Sequence, residues 1–406
     1  MPGLAEISRW LLWLLNGPSN FWARMSETDS GPGLRRETAA LRPGTAAEAG
    51  LDGTRLEVAC HLLESWARDG SVPGSAIAIS RHGVLVESRG FGGGFKGSRS
   101  RPVVPDSVFL VASVTKPVTA IAVMHLVERG LLSLGDPVQR HIPEFCGLAP
   151  NSGIDRENIR VEHLLTHTSG LPDMLPANEA LRARHAPLAD FVSEVCRCEL
   201  LFRAGSRVSY QSMGTLLAAE LVERLTVRPL RELMAAEIFA PLAMQSTSLG
   251  IRDDLTAAAV DVVLPDTQVG TDYHWNTGYW QRLGAPWGGM FATVDDLVRL
   301  LVATLCGGGL DGARVLGALT NHAMIQDRTA TMRGLAAEDR HQRWGLGWRL
   351  GAWGDLASPD SFSHGGATGT LVGADPQSGL ACAIFTTRPG APLHRVATAV
   401  QSAVID

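Results

Sequence analysis

Apolar residues recur at helical spacing from the start of the chain. Leu4, Ile7, Leu11, Leu14 and Leu15, with Trp10 and Trp13 beside them, predict a short amphipathic helix. Arg9 is its one cation, which favours packing on protein over lying on a membrane surface. Residues 26–50 break the pattern with Gly, Pro, Ser, Thr and charge, and read as a linker. The folded body should begin near Leu51. Leu56, Ala59, Leu63 and Trp66 mark one face of a helix that Gly70 ends, and residues 75–80 and 84–88 form β-rich runs around Arg81-His82-Gly83. That pattern predicts a hairpin.

From Ser113 to Met244 the period becomes helical, with helices expected over residues 115–129, 160–166, 214–225 and 230–239. Strand patterns return at 362–364, 369–373 and 380–387, and a final helix is expected over 393–404. Strands at both ends around a helical middle imply an α/β domain built from the two chain ends, with an all-α domain inserted. The expected boundaries are 1–45 for the helix and linker, 46–112 with 290–406 for the α/β domain, and 113–289 for the helical domain.

A chain of 406 residues is long enough for two to three domains at about 150 residues each, and 45% hydrophobic residues supply their cores. With 36 basic against 41 acidic side chains there is no cationic surplus to neutralise phosphates, so nucleic acid is excluded as a partner class. The six cysteines lack a Cys-x-x-Cys pair and read as free thiols rather than a zinc or redox site. No stretch reaches the ~20 apolar residues of a membrane span, and the N-terminal run Trp10 to Leu15 lacks a cleavage site, so a cytoplasmic protein is expected. Lysine is the informative count. It occurs only at Lys96 and Lys116, against 34 arginines, and a desolvated lysine can act as a base where arginine cannot.

Ser113-Val114-Thr115-Lys116 places an amine three residues after a hydroxyl. If a helix begins at Ser113, both lie on one face, with free backbone donors where an oxyanion would form. The plain alternative is a capping serine and a solvated lysine, but apolar residues 109–112 and 118–123 on either side predict a buried helix start. Tyr210, one of three tyrosines, lies in the short polar loop Val208-Ser209-Tyr210-Gln211-Ser212, and packing at a loop edge explains it equally well. Ser363-His364-Gly365-Gly366-Ala367 sets glycines beside a histidine on a strand, which permits close approach of a ligand or marks only a bulge.

In this order and spacing the three segments resemble the serine β-lactamase and penicillin-binding-protein superfamily, whose signature is Ser-x-x-Lys, Tyr-x-Asn or Ser-x-Asn, and Lys-Thr-Gly. Within it the chain resembles class C β-lactamases, D-aminopeptidases and DD-peptidases of that type, and family VIII carboxylesterases. His163-Leu164-Leu165-Thr166-His167-Thr168-Ser169-Gly170-Leu171-Pro172 and Gly345-Leu346-Gly347-Trp348 strengthen the likeness, which covers about residues 45 to 400. The resemblance implies an α+β fold with an antiparallel sheet flanked by terminal helices. It also implies a serine hydrolase working through an acyl-enzyme. Ser113 would attack an ester or amide carbonyl, Lys116 and Tyr210 would move the proton, and the N–H groups of Ser113 and Ala367 would hold the oxyanion. Ser212, His364, Gly365 and Gly366 would line the substrate site, and no metal or organic cofactor is needed.

Two departures bear on substrate. Ser212 replaces the usual Asn, and His364 replaces the third-motif lysine, so a fixed cation for a substrate carboxylate is missing. The expected activity is therefore cleavage of small esters, with β-lactam or D-amino-acid peptide hydrolysis as the alternative and a non-catalytic binding protein as the rival of another class. Among weaker signals, Gly92-x-Gly94-x-x-Gly97 reads as a loop with Lys96 in solvent, and His163 with His167 reads as structural because the glutamate of a zinc protease is absent between them. The run from His274 to Trp280, with Trp287, either walls a pocket or packs the interior.

Overall fold

Asp52 opens the first helix, Gly53–Asp69, by accepting hydrogen bonds from the Thr54 and Arg55 N–H groups, and Gly70 closes it at φ 76°. Leu56, Ala59, Cys60 and Leu63 form its buried face, as their spacing predicts. The computed structural model describes residues 40–97 and 99–405. The amphipathic helix expected at the N-terminus, most of the linker and the Lys96 side chain lie outside the described residues.

The hairpin is present as Gly74–Arg81 and Val84–Lys96, joined by His82 and Gly83 at φ 50° and 78°, with a bulge between Ile79 and Ser80. Positive φ at both loop residues gives the turn whose twist suits a two-residue hairpin. Gly92 to Gly97 departs from the expected loop. Most of it is strand, continuing Val84–Lys96 and pairing antiparallel with Arg99–Pro102. Glycine is needed there because a Cβ on Gly92, itself at φ 66°, would run into the Pro73 carbonyl.

These strands join the C-terminal ones in a single eight-stranded sheet. Its path runs Arg42–Pro43, Val84–Lys96, Gly74–Arg81, Leu380–Thr386, Thr370–Asp375, Phe362–Gly366, Arg349–Leu350, and Arg99–Pro102 pairs off that path. Every neighbouring pair is antiparallel except the first. Both faces are covered, which is why the central strands read as nearly continuous apolar runs. Ile77, Ile79, Cys382 and Ile384 face the first helix and the last one, Leu393–Ser402. On the other face Ala76, Ala78, Ala381 and Ala383 are small enough to let the helix Val294–Leu305 approach closely.

The middle of the chain supplies the remaining helices. Thr115–Glu128 is buried from Thr115 through Leu126, with no polar stripe, so it is an interior helix and packs against Met213–Thr226. The helix expected over 230–239 is α-helical at Leu230–Met234 and widens into a π turn at Ala235–Phe239. One apolar cluster joins the alanines of the sheet to Leu216, Leu217 and Leu221 of the helical stretch. Among the described residues no helix is long and apolar enough to cross a membrane.

Candidate active site

Ser113 sits in a 3₁₀ turn, Ala112–Val114, and the α-helix starts only at Thr115. The helix keeps its expected start at Thr115, and the condition that it begin at Ser113 is not met; Ala112, just ahead of it, has a φ of 45°, in the left-handed region. Such a conformation costs a non-glycine residue about 1–3 kcal/mol unless its surroundings fix it. They do so here. Thr115 Oγ1 donates to the Ala112 carbonyl at 2.6 Å and accepts from the Met290 N–H at 3.1 Å. From the sheet, Thr368 Oγ1 donates to the Leu110 carbonyl at 2.6 Å and Thr370 Oγ1 to the Val111 carbonyl at 2.9 Å.

The spacing of three still brings amine to hydroxyl. Lys116 Nζ lies 3.0 Å from Ser113 Oγ and donates to the Trp287 carbonyl, also at 3.0 Å. Lys116 is 2% exposed, whereas Ser113 is half-buried and reachable. Burial pushes the amine down to about 7, against an opposing pull from the Asp173 carboxylate. A substantial neutral fraction near pH 7 follows.

Tyr210 stands over this pair, with Nζ 4.6 Å from the centre of its ring. About a third of the residue is open to solvent, yet desolvation of the hydroxyl raises its pKa, with a hydrogen bond to Ser113 pulling the other way. The phenol therefore keeps its proton at neutral pH. His167 pins the loop on both sides of Tyr210. Its carbonyl accepts from the Ser209 N–H at 2.9 Å, its Nδ1 accepts from the Gln211 N–H at 3.1 Å, and its ring lies 4.6 Å from that of Tyr210. The Gln211 side chain then bonds Ser169 Oγ and the His163 carbonyl, at 2.6 and 3.0 Å. His163 and His167 are thus parts of the clamp, and His163 Nδ1 accepts from the Arg160 N–H. Burial holds both imidazoles below the usual histidine range, and no group of three metal-ligating side chains occurs among the described residues.

Ser212 turns its hydroxyl to Asp173 and donates to Oδ1 at 2.6 Å. Asp173, one residue past the Gly170-Leu171-Pro172 phrase, is a site residue the sequence reading missed. Across the cleft, His364 lies on strand Phe362–Gly366, 4% exposed, with its ring centre 6.0 Å from those of Tyr210 and Trp344. Burial and the neighbouring Lys116 push its pKa down to about 3, so it is neutral. Gly365 follows it on the strand, and Ala367 is exposed in the turn leading to Thr370. A Cβ on Gly366 would collide with Thr370 Oγ1 and the Val111 carbonyl, so glycine is what lets this strand close on the turn that carries Ser113. Gly366→Ala is expected to cost about 1–3 kcal/mol by overpacking. Urea unfolding checks it, and unchanged stability would show that the turn yields without cost.

Of the two readings of the aromatic run, interior packing holds for two of its tryptophans. Trp280 and Trp287 are buried in the interior, Trp287 against Phe191, and the Tyr279 hydroxyl is spent on the Ala186 carbonyl. Trp287 serves the site through its carbonyl alone. Trp344 takes the expected place, its ring 4.2 Å from His167 and 5.4 Å below the Arg349 guanidinium. No isolated feature of the sequence marks either Trp344 or Arg349.

The sequence matches the family model described as Beta-lactamase over residues 47–405. The chain belongs to the beta-lactamase family. It is 28% identical over 337 residues to Esterase EstB of Burkholderia gladioli, covering 75% of this chain and 82% of that one. It is 24% identical over 395 residues to a Salmonella agona protein that carries the name of a D-alanyl-D-alanine carboxypeptidase, covering 88% of each. A penicillin-binding-protein homologue from Caulobacter crescentus superposes with a TM-score of 0.72 at 22% identity, over 87% of this chain and 99% of that one. This beta-lactamase-family chain is a serine hydrolase. Ser113, Lys116, Tyr210, Ser212 and His364 converge in it as the motif resemblance implies, and the departures at Ser212 and His364 have structural counterparts: one hydroxyl is taken up by Asp173, and one imidazole is uncharged.

Proposed function

We propose that this beta-lactamase-family hydrolase cleaves esters of small acids through an acyl-enzyme on Ser113. The observation that carries the reading is a buried amine, lowered to about 7, at 3.0 Å from a reachable serine hydroxyl. Neutral Lys116 takes the Ser113 proton as Oγ attacks the ester carbonyl. The negative charge on the former carbonyl oxygen is held by the N–H groups of Ser113 and Ala367. As the C–O bond to the alcohol breaks, Tyr210 gives its proton to the leaving oxygen and recovers one from the Lys116 ammonium. Water then attacks the acyl-Ser113, with the same groups moving its proton to Oγ, and releases the acid.

No metal or organic cofactor enters these steps. On this reading a sheet domain, residues 46–112 with 290–406, and a helical domain, residues 113–289, both contribute groups to the site. The curated relatives divide between an esterase and a peptidase name. Neutral His364 favours the ester side, because a peptide ending in a carboxylate or a penicillin would find no cation at that position. A binding protein without turnover has no use for a desolvated base beside a hydroxyl.

A fluorophosphonate probe is expected to modify the folded protein once, on Ser113, and to leave Ser113→Ala unmodified. Peptide mass mapping reads the result. An adduct on another serine, or none on folded wild type that lacks ester turnover, would refute the acyl-enzyme.

A further inference from the structure

His364 carries a second, more specific piece of information. Its Nδ1 lies 2.8 Å from the carbonyl of Gly365. A carbonyl oxygen only accepts, so Nδ1 must hold the proton of this neutral ring and Nε2 is left as a bare lone pair. No donor among the described residues reaches Nε2, although the atom is fully buried. A buried acceptor without a partner keeps its full desolvation penalty. Such an atom in a reactive cleft points to a group that arrives from outside.

The surroundings restrict what that group is. Tyr210 and Trp344 flank the imidazole with their rings, and the Lys116 amine is close enough to depress its basicity. The lone pair therefore sits between aromatic surfaces, beside an amine that carries charge part of the time. A carboxylate would meet it with a second lone pair and be repelled. A cation would add to the Lys116 charge. A neutral donor satisfies the atom at no electrostatic cost.

From this geometry, and resting on the ester reading above, we infer that His364 Nε2 is a specificity element that accepts a hydrogen bond from a hydroxyl or amide N–H of the substrate. The preferred ester then carries a neutral donor near the scissile bond, as hydroxy-acid or N-acylamino-acid esters do. The family's lysine at the corresponding motif position would instead offer a donor. This chain has inverted the polarity of that contact, from donor to acceptor.

Two measurements on the full-length protein test the inference. The first is independent of turnover. Nitrogen-15 NMR of histidine-labelled wild type at pH 7 should show His364 protonated at Nδ1 and bare at Nε2, with His364→Phe used to assign the signal. A proton on Nε2 overturns the inference. The second compares 4-nitrophenyl esters in matched pairs, 3-hydroxybutyrate against pentanoate and N-acetylglycinate against its ketone analogue. Wild type should favour the donor-bearing member in kcat/KM by about five- to a hundredfold, and His364→Phe should bring that ratio towards one. Equal rates within each pair for wild type, or a preference that survives in His364→Phe, would overturn the inference while leaving the ester reading intact. Failure of the ester reading has its own sign, namely no release of nitrophenol from any of the esters and no probe adduct on Ser113.

Discussion

Lys116→Arg is expected to lose as much ester turnover as Lys116→Ala, about a hundred- to ten-thousandfold in each case. The two variants differ in charge and agree in lacking an amine that can shed its proton near neutrality. In the native site the amine is desolvated, bonded to the Trp287 carbonyl and 3.0 Å from the serine oxygen, which is the arrangement of a base rather than of an electrostatic anchor. The same group sets the pH profile. With its pKa lowered to about 7, the neutral form grows as pH rises, so kcat/KM for a short ester should climb through about pH 7 and then level. Asp173 pulls the other way on Lys116, and Asp173→Asn should move that rising limb to lower pH. Stopped-flow acylation rates measured across pH for the three variants check these outcomes. Near-native turnover in Lys116→Arg would mean that the residue acts through charge alone.

Short esters are expected to be cleaved faster than penicillins or peptides ending in a free carboxylate, by about ten- to a hundredfold. A hydrogen bond to a charged group contributes about 1.5–3 kcal/mol, which is a factor of that size. His364 remains neutral down to pH values far below the working range and supplies no such charge. His364→Lys should raise the ratio of β-lactam to short-ester turnover by the same ten- to a hundredfold, read from steady-state kinetics with benzylpenicillin, nitrocefin and 4-nitrophenyl acetate. Should wild type already prefer penicillins, the carboxylate anchor would be Arg349, stacked over Trp344 beside the cleft. Arg388 lies exposed after strand Leu380–Thr386.

Much of this site is legible in the sequence because its chemistry is local. Ser113 and Lys116 need only a helical turn to meet, and the near absence of lysine elsewhere makes the second of them conspicuous. What sequence hides is set by contacts between distant residues. The left-handed Ala112 that delays the helix is fixed by Thr368 and Thr370, more than 250 positions away. Gly92 to Gly97 carries the composition of a loop, but a paired strand and a close carbonyl give its glycines their purpose. His167 was assigned a structural role, which holds for its hydrogen bonds, while spacing could not reveal that the structure it supports is the Tyr210 loop. Trp344 stands outside the tryptophan-rich segment that drew attention, and position in space decided between them. The pattern of strands and helices was readable along the chain. The insertion of Leu380–Thr386 between Gly74–Arg81 and Thr370–Asp375 was not, because alternating apolar residues carry no address for a partner.

That insertion makes the sheet depend on strands far apart in the order of synthesis. Ser113, Lys116 and Tyr210 are all translated well before the strands that complete the sheet, yet the hydrogen bonds from Thr368 and Thr370 that hold the turn that carries Ser113 come from residues near the C-terminus. Until then the turn at Ser113 lacks two of the hydrogen bonds that fix it. The N-terminal hairpin meanwhile waits with an open edge for Leu380–Thr386. Pairing across some 300 residues is a contact of high sequence separation, the kind that forms slowly. The ribosome thus delivers Thr368 and Thr370 long after the Ser113 turn whose carbonyls they hold.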